Sequence, residues 1–102
     1  MLMVAQRHAS AAEAREEYRR IGDFTLFWSG LYPEAVRRFE RPGRPDSLLG
    51  YREAGKRAYW LASTLEPADA AEERRLLERL CHEYDLCVEG LTEVRRAWGE
   101  AA

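Results

Sequence analysis

The sequence predicts an all-α protein, and three observations carry the prediction. Apolar residues recur at steps of three and four along most of the chain, and no run alternates with the period of two that a half-buried strand requires. The strongest helix breakers gather in one place, residues 41–46 (RPGRPD). At 102 residues and 11.8 kDa the chain has the size of one domain, and 46% hydrophobic with 33% charged residues places it among globular proteins. The expected architecture is a compact up-and-down bundle of three long helices and one short helix, with residues 1–9 as a mobile N-terminus.

The first helix starts at Ser10, because Ser10 and Glu13 have the capping-box spacing, in which the hydroxyl accepts an orphan first-turn amide. Tyr18, Ile21, Thr25, Trp28 and Tyr32 recur at helical intervals, and Phe24, Leu26, Phe27 and Leu31 widen the stripe. The second half is therefore expected to be buried almost all round. Gly22 and Gly30 each cost roughly 1 kcal/mol against alanine inside a helix, but they let another backbone come close. Pro33 suits a first-turn position and opens a short helix to about Phe39.

Past residues 41–46, which read as a loop, Asp46 or Ser47 can cap the next helix. It carries Leu48, Tyr51, Gly55, Ala58, Tyr59, Ala62 and Leu65 on one side. Ala54, Ala58 and Ala62, spaced by four, are expected to pack at short range against the glycine-bearing first helix. Glu66 and Pro67 end this helix. From about residue 68, Leu77, Leu80, Tyr84, Cys87, Leu91, Val94 and Trp98 form a heptad-like stripe, which predicts one long helix with Gly90 as its bend or close crossing.

Charge excludes some functions. Sixteen Lys and Arg against eighteen Asp and Glu give a net charge of −2, too balanced for a nucleic-acid or membrane-surface protein. Residues 34–57 carry a local +3 against −5 elsewhere, an asymmetry suited to an anionic partner or to the acidic last helix of a second subunit. The longest apolar window, residues 24–32, is far short of the ~20 residues that span a bilayer, and residues 1–5 lack the order of a signal peptide. Cys81 and Cys87 are the only cysteines; on one helix their spacing turns the chain by about 240° net, which excludes an internal disulfide. A reducing cytoplasm is the expected location.

The string Gly22-Asp23-Phe24-Thr25-Leu26-Phe27-Trp28-Ser29-Gly30-Leu31-Tyr32-Pro33, followed by Tyr51-Arg52-Glu53-Ala54-Gly55-Lys56-Arg57-Ala58-Tyr59, resembles a signature of small all-helical bacterial proteins. Its frame is GDxxLFxxGxxP and then YxxxGxxAY, and the resemblance covers residues 20–62. It implies a helical fold. The family carries no established activity, so the resemblance adds no cofactor and no site.

Two constellations hold chemistry. Asp23 stands ahead of Phe24, Leu26, Phe27 and Trp28 on a helix that is becoming apolar, so its carboxylate needs a partner. That partner is either structural, a tyrosine hydroxyl or Arg57, Lys56 or an arginine of the short helix, or else Asp23 belongs to a ligand pocket with Tyr51 and Tyr59. Cys81, His82, Asp85 and Glu89 are metal-ligand types, but a solvated helix face is the better account and no metal is expected. No phosphate loop, nucleophile elbow or CxxC is present, and no cofactor is called for.

These readings favour a non-enzymatic helical interaction module over a small-molecule-binding protein or enzyme built on Asp23, Tyr51 and Tyr59. The expected interaction surface comprises Arg37, Arg38, Arg41, Leu77, Tyr84, Leu91 and Trp98. A bundle this small cannot hide both the stripe of its last helix and the apolar first helix, so a homodimer is expected, with another protein as a further partner.

Overall fold

The computed structural model describes residues 10–39 and 47–101, all helical apart from short connections. Five helices follow one another: α1 (Ala11–Leu31), α2 (Pro33–Phe39), α3 (Ser47–Thr64), α4 (Ala71–His82) and α5 (Tyr84–Ala101). The mobile N-terminus expected at residues 1–9, the loop at 41–46 and Arg41 lie outside the described residues.

α1 begins where its cap predicts, with Ser10 Oγ accepting the Glu13 amide at 3.2 Å. Its main partner is α3. Gly22 faces Tyr59, Thr25 faces Gly55, and Arg15 reaches the Leu65 carbonyl and the Glu66 carboxylate, so the two helices run in opposite directions. Small residues make the crossing close. A β-carbon on Gly22 would stand 2.6 Å from the Tyr59 ring, and one on Gly55 would stand 2.1 Å from Thr25 Oγ1. Ala58 and Ala62 are buried on the same seam, whereas Ala54 is exposed; Gly55, not Ala54, holds the third position of the small stripe.

The core is built from Ala14, Tyr18, Ala58, Tyr59, Ala62, Leu77, Tyr84 and Val88. Alanine lets the helices approach, and tyrosine rings fill what remains. Burying a phenol requires a partner for its hydroxyl. Tyr84 Oη donates to Thr25 Oγ1 at 2.9 Å, and Thr25 Oγ1 in turn donates to the Gly22 carbonyl at 3.0 Å.

The single long last helix expected from the heptad stripe is two helices. The chain leaves helical geometry at Glu83 (φ −104°, ψ 20°), a position with no glycine or proline to announce it. The division follows the packing: α4 lies on α3, whereas α5 lies chiefly on α1, with Gly30 against Leu91. One straight rod could not follow both. Gly90, the expected bend, has nothing within 4 Å of where its β-carbon would stand. The break also separates Cys81 from Cys87, both free and partly buried, so the continuous-helix argument about their pairing does not apply. Residues 92–99 of α5 are exposed, although Thr92 Oγ1 still donates to the Gly30 carbonyl at 2.9 Å.

Candidate interaction surface

Asp23 does have a partner, and it is Tyr59, whose Oη donates to Asp23 Oδ1 at 2.6 Å. The Tyr59 ring is 1% exposed and wedged against Gly22, while Asp23 itself is exposed; the carboxylate reaches inward from the surface. Burial, and then the Asp23 bond, push the Tyr59 phenol far above the ordinary tyrosine range, so it remains a neutral donor. Lys56 does not join this pair. It bonds Asp85 at 2.7 Å and Glu53 at 3.2 Å, and the Asp85 bond holds its ammonium above the usual range.

Tyr51 lies two turns earlier on α3. Its hydroxyl is buried without a hydrogen-bond partner among the described residues, and burial raises its pKa. The described cavity that Asp23 does line holds about 50 Å³ and is shared with Arg19, Glu66, Glu73, Leu76, Leu77 and Leu80; neither Tyr51 nor Tyr59 lines it.

The roomiest concavity described is a shallow groove of about 750 Å³ between α3 and the end of α4, floored by Gly50 and Ala54 and bordered by Trp60, Cys81 and His82. Its chemistry is muted. The Lys56 charge is held by Asp85 and Glu53, and burial raises the Cys81 pKa, which disfavours the nucleophilic thiolate. The His82 ring stands 6.4 Å from that of Trp60. Asp85 is occupied by Lys56 and by Arg52 at 3.7 Å, and no three metal-ligating side chains converge among the described residues.

The residues expected to form an interaction surface divide. Arg37 and Arg38 are exposed on α2 and enter no ion pair among the described residues. Trp98 is 59% exposed near the end of α5. Leu91 is half-buried against Gly30. Leu77 and Tyr84, at 3% and 0% exposed, belong to the core and cannot serve as surface in this fold: the first part of the heptad stripe is taken up by contacts within the chain, while Val94 and Trp98 at its end stay exposed.

What the sequence reading assigned to the core instead lies outside. Phe24 and Phe27 are 59% and 46% exposed, and Tyr32 is 40% exposed. They surround the half-buried Trp28, with ring centroids 6.0 Å (Phe24–Trp28), 5.9 Å (Phe27–Trp28), 5.8 Å (Phe27–Tyr32) and 5.1 Å (Trp28–Tyr32) apart. The Arg95 guanidinium sits 5.7 Å from the Tyr32 ring centre and clasps Glu34 through two bonds at 2.6 and 2.7 Å, tying α5 to α2 at the patch edge. The signal for this was present: the inward face of α1 is the small and hydroxylic series Ala14, Tyr18, Gly22, Thr25 and Ser29, and Phe24 and Phe27 fall on the opposite side of that series.

No family model, no curated protein and no solved structure matches this chain. The site must be read from its own residues. Among the described residues no helix is long and apolar enough to cross a membrane.

Proposed function

We propose that the protein is a non-enzymatic interaction module, a helical bundle that presents the aromatic face of α1 to a protein partner. The exposed rings of Phe24, Phe27 and Tyr32, gathered around the half-buried Trp28, carry this reading. Contiguous exposed aromatic surface costs solubility and serves recognition, and aromatic rings backed by arginine are the side chains enriched where proteins bind one another. Arg95 and Glu34 at its edge supply the polar rim such surfaces have. The alternative, a small-molecule site around Asp23, Tyr51 and Tyr59, finds less support, because Tyr59 is packed shut and neither tyrosine lines the cavity that Asp23 borders.

The test is a photo-crosslinking amino acid placed at Phe27 and, as a control, at the exposed Glu72 of α4 in the full chain in growing cells. Position 27 should give a discrete protein adduct and position 72 none. A protein that forms no adduct through position 27 does not use this face.

A further inference from the structure

We infer that the occupant of the aromatic face is a second copy of this chain, docked across a two-fold axis with the two α1 helices antiparallel. The inference rests on the reading of that face as an interaction surface and adds its partner. Two observations bear on the partner. The first is area, which sets how large the interface must be. Phe24, Phe27 and Tyr32 leave apolar surface on the order of 300 Å² in contact with water, taking 150 to 250 Å² for a whole aromatic side chain. That is the centre of an interface, and a stable one needs about 800 Å² from each partner. The surrounding surface must therefore match as well.

The second observation is the charge on either side of the rings. Toward the start of α1 stand Glu13, Glu16 and Glu17, with Arg19 and Arg20 pairing only the last two. The Glu13 carboxylate enters no ion pair among the described residues. On the other side, α2 presents Arg37 and Arg38, also without ion pairs among the described residues, while Glu34 is held by Arg95. Charge thus changes from acidic before the rings on α1 to basic on the short helix that follows them, where Arg38 also acts on Glu34. An antiparallel two-fold arrangement sets the basic end of each copy toward the acidic end of the other, twice per dimer; a parallel one would set like charge against like.

Sedimentation equilibrium of the purified chain at micromolar concentration tests this. The expected mass is near twice 11.8 kDa. Phe24→Ser with Phe27→Ser should weaken association at least about tenfold while circular dichroism keeps the helix content, since both side chains lie outside the core. Arg37→Glu with Arg38→Glu should give monomers, as should Glu13→Lys with Glu17→Lys, and mixing these two variants should restore a dimer, which also shows that both fold. A parent chain that stays monomeric overturns the inference. So does a dimer indifferent to positions 24 and 27, or a mixture of the charge variants that fails to pair. If deleting residues 1–9 converts a monomer into a dimer, the face is covered by the chain's own N-terminal segment and the inference likewise falls. A purified monomer whose position 27 still forms an adduct to a different protein in cells would sink the second copy alone and leave the interaction reading standing.

Discussion

Asp23 and Tyr59 are joined at 2.6 Å by a bond that begins at the surface and ends in the core, and the same Tyr59 ring occupies the space left by the absent side chain of Gly22. The phenol is nearly inaccessible to water, so losing its acceptor leaves a buried donor unpaired. Asp23→Ala is expected to destabilise the protein by about 1 to 2 kcal/mol, and Asp23→Asn, which keeps an acceptor, by less. Thermal melts decide it. An alanine variant as stable as the parent would mean that water replaces the carboxylate, and the anchoring role would be lost.

Three glycines make a second test because their surroundings differ. Alanine gains roughly 1 kcal/mol over glycine inside a helix when there is room for it. At Gly90 nothing stands in the way, so Gly90→Ala should stabilise by about 0.5 to 1 kcal/mol. At Gly55 the new methyl would meet Thr25 Oγ1 at 2.1 Å and Tyr84 Oη at 2.6 Å, forcing apart two side chains that bond each other. Gly55→Ala is therefore expected to cost about 1 to 3 kcal/mol net, with Gly22→Ala of the same sign against the Tyr59 ring. Denaturant titration of the three variants should give opposite signs at positions 90 and 55. Equal signs would mean that α1 and α3 do not cross as closely as Gly55 and Thr25 require.

Much of this arrangement was legible in the residues. The Ser10 cap, the start at Pro33 and the close contacts at Gly22 and Gly30 follow from local chemistry that the fold leaves intact. The misplaced residues share a cause. Periodicity marks which positions are apolar but not which side of a helix faces its neighbour, and α1 turns Ala14, Tyr18, Gly22, Thr25 and Ser29 inward. Phe24 and Phe27 invite placement in the core because they are large and apolar, yet they stand away from that inward series and are exposed. A long heptad stripe suggests an outside partner for Leu77 and Tyr84, yet the turn at Glu83 lets the core take in both, leaving Val94 and Trp98 outside. That turn has no sequence signal of its own; it arises from tertiary packing. For Asp23 the residues indicated the need for a partner and offered several, and only packing selects Tyr59 over Arg57 or Lys56.

Tyr51 and Tyr84 make a contrasting pair. Tyr84 Oη is bonded to Thr25, with the buried Ser29 hydroxyl close by, whereas Tyr51 Oη is buried with no partner among the described residues. Tyr84→Phe should cost about 1 kcal/mol, the ordinary net worth of such a bond. Tyr51→Phe removes a group whose desolvation is uncompensated and should leave stability unchanged or raise it by up to about 1 kcal/mol. Urea unfolding of the two variants separates them, and a large loss from Tyr51→Phe would mean that the hydroxyl binds something essential to the fold.

The clasp between Glu34 and Arg95 sets a pH dependence whose sign follows from its geometry. The fork of two bonds from the guanidinium, aided by the Glu34 backbone amide, holds the carboxyl below the ordinary glutamate range. A folded-state pKa below the unfolded value means that the clasp contributes fully above the unfolded value and is lost as pH falls through the lowered one. Because both partners are exposed, the contribution is modest and screened by salt, so a global melt is a poor probe of it. The carboxyl carbon resonance of Glu34 should instead titrate at lower pH than an unpaired glutamate of the same chain, and should return to the ordinary range in Arg95→Gln. Loss of the clasp should also release the guanidinium from Tyr32, so the Tyr32 ring resonances should shift over the same acidic interval. An ordinary Glu34 midpoint in the parent would show that α5 is not tied to α2 in solution, and the aromatic face would lose its only charged clamp among the described residues.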